Sequence, residues 1–343
     1  MIRCNQSRPR MSKTTPRNRQ LQRLLQLFWI ASLLSLNLWS VPAAAQSYAY
    51  VPTHKSNSVS VINISTKSVI AVVPVGIQPL QVAITPDGAY AYVTDSGWFY
   101  PNNDVSVIST ATNSVVATIP VGRFPVGVAF TPNGAFAYVA NQNSNNVSVI
   151  DTAAKAVVAT VNVGVNPWGV AVTPNGSFSY VTNQVSNSVS VIDTATNFVI
   201  ATIPVGSNPT GLTITPNGAF VYAANYSSNS VSVISTATNA VVSTIAVGNT
   251  PIAVAITPTG NFAYVPNSVD DSVSVINTAS NTVTATVAVG SIPRGVAITP
   301  DGAFAYVSNR MSNDVSVINT ATNALAATVS GVAALPEGVA IKP

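Results

Sequence analysis

The chain has 343 residues, of which 47% are hydrophobic and only 7% charged, and its formal net charge is +4. Ordinary globular domains carry roughly 25% charged residues, so this composition excludes a disordered charged tail and a basic nucleic-acid-binding arm. A chain of this length buries about three-quarters of its unfolded surface, which makes one large hydrophobic core feasible.

The first 45 residues differ in composition from the rest and are typical of a secretory leader. A basic segment is followed by a mostly apolar segment from Leu24 to Leu38, and Ala43–Ala45 provides an A-x-A cleavage site. We expect cleavage before Gln46, which makes residues 1–45 the signal peptide and residues 46–343 the mature domain. An uncleaved signal anchor is the alternative, but polar residues within the apolar segment make it a poor membrane span.

Removal of the leader changes the charge and the cysteine content. The leader holds seven of the 14 Lys and Arg residues and none of the ten acidic residues, so the mature chain has a net charge of −3. The single cysteine, Cys4, leaves with it, and we expect no disulfide or thiol chemistry in the mature protein. The sequence therefore predicts a secreted, periplasmic or cell-surface protein with no transmembrane segment in the mature chain.

The mature chain consists of one internal repeat. A tyrosine opens each unit, with intervals of 42 residues and one longer interval of 46 that holds an insertion around residues 97–102. These tyrosines are Tyr50, Tyr92, Tyr138, Tyr180, Tyr222, Tyr264 and Tyr306. Each unit continues with Val-Ser-Val-Ile, a turn similar to Thr-Ala-Thr-Asn, and a Val-rich run that ends near Gly.

Each period contains four segments rich in Val, Ile, Thr and Tyr, which favours strands over helices. In residues 293–329 the predicted strands are A (Gly295–Thr299), B (Ala303–Ser308), C (Asp314–Asn319) and D (Ala324–Val329). Pro300–Gly302 fits a tight turn between A and B, because Pro presets φ and Gly accepts a positive φ.

A four-stranded unit of about 40 to 45 residues is the signature of a β-propeller blade. Strand C is apolar on both faces, which suits a sheet packed between neighbouring sheets. We therefore predict an all-β, seven-bladed β-propeller with four antiparallel strands per blade. A stacked open β-solenoid is the structural alternative, although its repeats are usually shorter.

The phase of the repeat favours a closed ring. The mature chain starts in a strand B (Tyr48–Pro52) and ends in an extra strand A (Gly338–Lys342), so neither end contains a complete blade. We predict that residues 337–342 supply strand A, and residues 48–75 supply strands B, C and D, of one blade. This one-plus-three terminal closure removes free sheet edges.

The repeat resembles a known family. Tyr-Val-Thr-Asn at Tyr180–Asn183, Val-Ser-Val-Ile and Pro-x-Gly-Val-Ala-Ile-Thr-Pro-(Asp/Asn)-Gly are similar to the YVTN-repeat β-propeller family of YncE-like and surface-layer-type proteins. The resemblance covers essentially residues 48–343 and implies the fold and the compartment more than a chemistry. Members include archaeal surface-layer proteins and bacterial periplasmic or surface proteins, some implicated in binding partners or DNA.

Residue types needed for catalysis are scarce in the mature chain. His54 is its one histidine, and a lone loop histidine is more often solvent-facing than catalytic. Most acidic residues occupy positions where another blade has Asn, Ser or Thr, which indicates turn hydrogen bonding; the pair Asp270–Asp271 leaves Ca²⁺ binding open. A lactonase-type propeller needs a metal or a His/Glu/Arg cluster, and the sequence offers no candidate set. We expect no enzyme, no catalytic residues, no metal site and no cofactor.

Variable residues concentrate on one predicted face. Alternating strand direction places the A–B and C–D turns, which are nearly identical between blades, on one side of the ring, and the B–C and D–A loops on the other. Candidate partner-binding residues on the second face are Trp98, Phe99, Tyr100, Arg123, Phe124, Trp168, Tyr226, Arg294, Arg310 and Glu337. Loops on a rigid scaffold commonly carry binding, and Trp, Tyr and Arg are frequent interface anchors. Drift at a tolerant exposed position is the alternative explanation.

These observations predict a non-enzymatic extracytoplasmic scaffold, binding or surface-structural, that presents this face to an unknown protein or glycan partner. We expect a monomeric ring. Scattered basic residues and a negative mature charge argue against DNA as a partner. The alternative is a lactonase-like or lyase-like propeller enzyme that acts at the channel mouth.

Overall fold

Strands make up nearly all the regular structure of the computed structural model, which describes Met1, residues 47–97 and residues 103–342. The predicted leader and the aromatic residues Trp98, Phe99 and Tyr100 lie outside the described residues. Two single-turn 3₁₀ helices, His54–Ser56 and Gln142–Ser144, interrupt the strands. Among the described residues, no helix is long and apolar enough to cross a membrane.

Seven four-stranded antiparallel sheets form within the unit Gln46–Pro343. The strands are β1 (Tyr48–Thr53), β2 (Ser58–Asn63), β3 (Ser68–Pro74), β4 (Pro79–Ile84), β5 (Tyr90–Asp95), β6 (Asp104–Ser109), β7 (Ser114–Pro120), β8 (Pro125–Phe130), β9 (Phe136–Asn141), β10 (Asn146–Asp151), β11 (Ala156–Asn162), β12 (Pro167–Val172), β13 (Phe178–Asn183), β14 (Ser188–Asp193), β15 (Phe198–Pro204), β16 (Pro209–Ile214), β17 (Phe220–Asn225), β18 (Ser230–Ser235), β19 (Ala240–Ala246), β20 (Ala255–Ile256), β21 (Phe262–Asn267), β22 (Ser272–Asn277), β23 (Thr282–Ala288), β24 (Pro293–Ile298), β25 (Phe304–Asn309), β26 (Asp314–Asn319), β27 (Ala324–Val329) and β28 (Ala340–Ile341). Strands β4–β27 form blades 1 to 6, four consecutive strands to each.

The remaining sheet, which we name the closing blade, has the order β28-β1-β2-β3. Ala49 pairs with Ile341 and Tyr50 with Ala340, so the last described strand completes the sheet that the first described strands begin. This arrangement confirms the predicted seven-bladed fold and its one-plus-three closure. It also brings the two ends of the described β-structure into direct contact.

The core lies between adjacent blades. One cluster contains Tyr180 and Val191 of blade 3 together with Leu212 and Ile234 of blade 4. Strands B and C are buried on both faces because each sheet is covered by a neighbour on either side, as their apolar composition predicts. Strand D is mostly exposed on its outward face.

The repeated tyrosine links one blade to the next. Tyr180 is fully buried, and its hydroxyl donates a 2.8 Å hydrogen bond to Oδ1 of Asn239 in the C–D turn of the following blade. Burial raises the pKa of Tyr180 to about 12, so the hydroxyl stays protonated and remains a donor. Equivalent bonds join Tyr50, Tyr138, Tyr222 and Tyr264 to an Asn of the next blade.

The B–C and D–A loops lie on the same face, as the strand directions predict. Oδ1 of Asn187 in a B–C loop accepts the N–H of Asn208 in the D–A loop that leads into the next blade, at 2.8 Å. Asn145 and Asn166 repeat this contact at 3.0 Å. These bonds hold each D–A loop against the B–C loop of the preceding blade. The D–A loops in turn position the start of each strand A beside the central channel.

Candidate functional site

A cleft at one end of the central channel is lined by two positions of the repeat. One position follows the D–A proline and supplies Leu80, Trp168, Ile252, Arg294 and Glu337; the other lies four residues after the repeat tyrosine and supplies His54 and Arg310. Phe124 and Gln81 complete the lining. Below the cleft, a tunnel runs between the strands A of the blades and is lined mainly by Gly, Ala, Val and Leu.

The titratable and charged side chains of the cleft come from two adjacent blades. Arg294 and Arg310 belong to blade 6, whereas Glu337 and His54 belong to the closing blade. Glu337 precedes β28 and His54 follows β1, so these two residues lie near opposite ends of the chain and meet only through ring closure. The N–H of His54 donates to Leu335 O at 2.9 Å, two residues before Glu337.

Glu337 is the carboxylate of this cluster. Its side chain is 12% exposed, and its Oε1 accepts a 2.6 Å hydrogen bond from Nε of Arg310. Its backbone is held from both sides, because its N–H donates to Pro52 O at 2.9 Å and its carbonyl accepts from the Ser308 hydroxyl. Burial raises the pKa of Glu337, while the charges of Arg294 and Arg310 oppose that rise and favour the ionised form.

His54 is partly buried rather than solvent-facing, which differs from the expectation for a lone loop histidine. Its Nδ1 is buried and has no hydrogen-bond partner within residues 47–97 and 103–342. Burial lowers the pKa of His54, and the charges of Arg310 and Arg294 lower it further. The imidazole is therefore neutral at pH 7 and can accept a proton.

Glu337 does not fully neutralise the positive charge of Arg294. Its Nε is buried without a hydrogen-bond partner in the described part of the chain, and it lies 3.9 Å from Oε2 of Glu337, beyond hydrogen-bonding distance. Two guanidinium groups and one carboxylate leave this cluster with a net charge of +1. The opposite wall is apolar and includes Phe124, which is 4% exposed, and Trp168. The cleft thus suits a small anionic molecule that has a ring or other apolar part.

The structure brings together some of the residues predicted from sequence. Phe124, Trp168, Arg294, Arg310 and Glu337 line the cleft. Arg123 is exposed beside it, and its backbone N–H donates to the Ser144 hydroxyl at 2.7 Å. Tyr226 occupies the repeat position of His54 and Arg310 but does not line the cleft. Trp98, Phe99 and Tyr100 fall in the part that the structure does not describe.

Sequence reasoning missed His54 and Gln81, and the expectation that no His/Glu/Arg set exists was wrong. The four members of that set are far apart in sequence, and none forms a local motif with another. A usable signal lay in the register of the repeat: His54 and Arg310 occupy the same position in neighbouring blades, next to the position of Arg294 and Glu337.

Asp270 and Asp271 have structural roles at their loop. Asp270 Oδ2 accepts the N–H of Asn249 at 2.7 Å, and Asp271 Oδ1 accepts the N–H of Ile292 at 2.8 Å. The two carboxylates therefore bind backbone groups on different D–A loops. Within residues 47–97 and 103–342, no three His, Cys, Asp or Glu side chains are grouped so that they could hold a metal ion.

Comparisons with known proteins point to a family of enzymes. A model of the family described as lactonase, 7-bladed beta-propeller, matches residues 41–158, 158–245 and 236–343. No curated protein sequence matches the chain. Among solved structures, it is similar to hydrazine synthase of Kuenenia stuttgartiensis, with 25% identity, a TM-score of 0.71, and coverage of 79% of this chain and 92% of that one.

Two other solved structures show the same fold. A candidate 6-phosphogluconolactonase from Bacteroides uniformis has 17% identity and a TM-score of 0.74, with coverage of 86% of this chain and 99% of that one. The dihydro-heme d1 dehydrogenase NirN has 14% identity and a TM-score of 0.65, with coverage of 85% and 74%. The match to the lactonase family model contradicts the prediction of a non-enzymatic scaffold and favours the alternative, an enzyme acting at the channel mouth.

Proposed function

Because the chain belongs to the seven-bladed lactonase β-propeller family, we propose that it hydrolyses a small anionic lactone at the cleft to give the open-chain hydroxy acid. The observation that carries this proposal is the convergence of His54, Arg294, Arg310 and Glu337 in one partly buried cleft. One structural relative bears a name that specifies a phosphorylated gluconolactone, an anionic lactone of this kind.

His54 serves as the general base in this proposal. Its neutral imidazole, which lines the cleft, takes a proton from the attacking water. The water oxygen bonds to the lactone carbonyl carbon, and the carbonyl oxygen becomes an oxyanion. When the oxyanion collapses, the ring C–O bond breaks and the leaving alkoxide takes the proton back from the imidazolium. The product acid then ionises to a carboxylate.

The arginines supply the electrostatic part of the reaction. The guanidinium group of Arg294 lines the cleft, and its positive charge stabilises the developing oxyanion. Glu337 holds Arg310 through the 2.6 Å hydrogen bond and keeps both guanidinium groups on one side of the cleft. The net positive charge of the cluster favours a substrate with a carboxylate or phosphate group.

Hydrolysis of 6-phosphoglucono-δ-lactone by the purified protein tests the proposal, with proton release measured against the spontaneous rate. Uncharged glucono-δ-lactone is the matched substrate that lacks the anionic group, and we expect it to have a lower kcat/KM. Replacing the base, His54→Asn, should lower kcat about 10²- to 10⁴-fold.

A matched variant, Gln184→Asn, changes the same repeat position in blade 3, away from the cleft, and should keep the wild-type rate. No hydrolysis of either lactone above the spontaneous rate would refute the proposal. An unchanged rate in His54→Asn would refute the role of His54.

The predicted leader would place this reaction outside the cytoplasm, in the periplasm, at the cell surface or in the medium. A protein or glycan partner for the face on which the sequence predicts the aromatic insertion stays a prediction from the sequence. The narrower resemblance to the YVTN-repeat proteins likewise stays a prediction, within the lactonase propeller family to which the chain belongs.

A further inference from the structure

Gln81 occupies a repeat position that otherwise holds Gly or Ala. The residues at this position are Gln81, Gly127, Gly169, Gly211, Ala253, Gly295 and Gly338. A Cβ at Gly127 would lie 2.5 Å from the carbonyl oxygen of Trp168, and one at Gly169 would lie 2.7 Å from that of Thr210. The strands A approach so closely here that small residues are required in most blades. The long side chain of Gln81 is a departure that packing of the ring does not demand.

The Gln81 side chain extends towards the closing blade. A Cβ at Gly338 would collide with Gln81 Oε1 and lie 3.0 Å from Gln81 Cδ, so the amide covers Gly338, the residue after Glu337. Gln81 lines both the cleft and the tunnel below it. Apart from Trp168, the other side chains described along that tunnel are aliphatic or absent. The amide therefore forms a polar floor between the charged cleft and the apolar tunnel.

The Gln81 amide makes no hydrogen bond with another described residue; its backbone N–H, by contrast, is bound to the Thr94 hydroxyl at 3.1 Å. An amide has two donor hydrogens and two acceptor lone pairs, which allows it to donate to a hydroxyl group and accept from one. A partly buried amide that protein groups leave unsatisfied, beside Glu337, is suited to a hydroxyl of a bound molecule.

We propose that Gln81 determines substrate specificity by hydrogen-bonding a ring hydroxyl of the lactone, so that the enzyme selects hydroxylated, sugar-type lactones over alkyl lactones. This inference rests on the proposed function, because it assigns Gln81 a role in the same cleft. Gln81 contacts the substrate away from the scissile carbonyl, and it takes no part in proton transfer. Its loss should therefore raise KM for a hydroxylated substrate more than it lowers kcat.

Two variants separate the hydrogen bonds of the amide from its bulk. Gln81→Gly introduces the residue that five other blades hold at this position, and Gln81→Met keeps the length of the side chain but removes the amide. Ala253→Gly, at the same position in blade 5, is the matched control. Each variant is first checked by thermal melting. Its kcat and KM are then measured on glucono-δ-lactone and on δ-valerolactone, which lacks ring hydroxyls.

We expect the ratio of kcat/KM for glucono-δ-lactone over δ-valerolactone to fall about ten-fold in Gln81→Gly and Gln81→Met, which is the effect of about one hydrogen bond. The ratio should stay unchanged in Ala253→Gly, and in His54→Asn, which slows both substrates. A wild-type ratio in Gln81→Met would overturn the inference and leave the proposed function standing. Wild-type protein that hydrolyses no lactone, 6-phosphoglucono-δ-lactone included, would overturn both.

Discussion

Replacing Asp95 with Asn tests a departure from the repeat inside blade 1. In blades 2 to 6 the last residue of strand B is Asn; Asn309, for example, donates from Nδ2 to Oδ1 of Asp314 at 2.7 Å. Blade 1 has Asp95 and Asp104 at these two positions, so a carboxyl group faces another carboxyl group. Asp95 is fully buried, and its Oδ2 accepts a 2.6 Å hydrogen bond from the Ser106 hydroxyl.

The free-energy cost of ionising buried Asp95 sets the size of the stability difference between the wild type and Asp95→Asn. Burial raises the pKa of Asp95 from 3.8 to about 8, with a further rise from the charge of Asp104 against the opposing hydrogen bond of Ser106. The folded pKa lies above the unfolded one, so this group's contribution to stability is fully present below about pH 4 and is lost as the pH rises to about 8. At about 1.4 kcal/mol per pKa unit, the loss approaches 6 kcal/mol.

Asp95→Asn should remove this loss and supply the amide donor that Asn309 supplies in blade 6. At about 2 °C per kcal/mol, we expect the melting temperature of Asp95→Asn to exceed that of the wild type by roughly 10 °C at pH 8. Near pH 4 the two melting temperatures should be nearly equal. Circular dichroism melts from pH 4 to pH 9 measure this gap. The reciprocal variant Asn309→Asp creates a second carboxyl pair with Asp314 and should lose stability as the pH rises. A gap between wild type and Asp95→Asn that does not widen with pH would refute the reasoning.

Three further predictions concern the site, the closure and the blade contacts. The kcat/KM for 6-phosphoglucono-δ-lactone should fall as the pH drops through the lowered pKa of His54, because the base must be neutral; a pH–rate profile that is flat down to pH 4 would contradict this. Deletion of residues 336–343 removes strand A of the closing blade and should lower the melting temperature sharply in calorimetry, whereas an unchanged curve would oppose ring closure. Tyr180→Phe should lower the free energy of unfolding in urea by about 1 kcal/mol, because the hydrogen bond to Asn239 is lost. Tyr92→Phe should lower it less, because the Tyr92 hydroxyl has no such bond in the described chain. Equal losses in the two variants would exclude this role of the hydroxyl.

The fold could be predicted because every blade repeats the same turn chemistry. Strands C and D of blade 6 have the predicted bounds, Asp314–Asn319 and Ala324–Val329. Strand A begins at Pro293 rather than Gly295, because Pro293 pairs with Asn309 across an irregularity in register. A bulge leaves no mark on the alternation of apolar and polar residues, so the sequence pattern could not place that boundary.

The site could be predicted only in part. Comparison of the blades within this chain selects residues that differ at the channel mouth, and it finds Trp168, Arg294 and Glu337. His54 is the one histidine of the mature chain, and only its register in the repeat, which it shares with Arg310, connects it to these residues. The sequence does not show why Gln81 is unusual, because the close approach of the strands A at its position is a property of three-dimensional packing.

Ring closure and the proposed chemistry depend on the same hydrogen bonds. The N–H of Glu337 binds Pro52 O, and the N–H of His54 binds Leu335 O, so the bonds that join the chain ends also hold the carboxylate and the base. Arg310 then reaches Glu337 from blade 6. Opening the closing blade would separate His54 from Glu337 while the six remaining blades keep their internal pairing. A site assembled in this way has no local sequence motif. What the sequence shows instead is that the repeat begins with a strand B and ends with a strand A, which together belong to one blade.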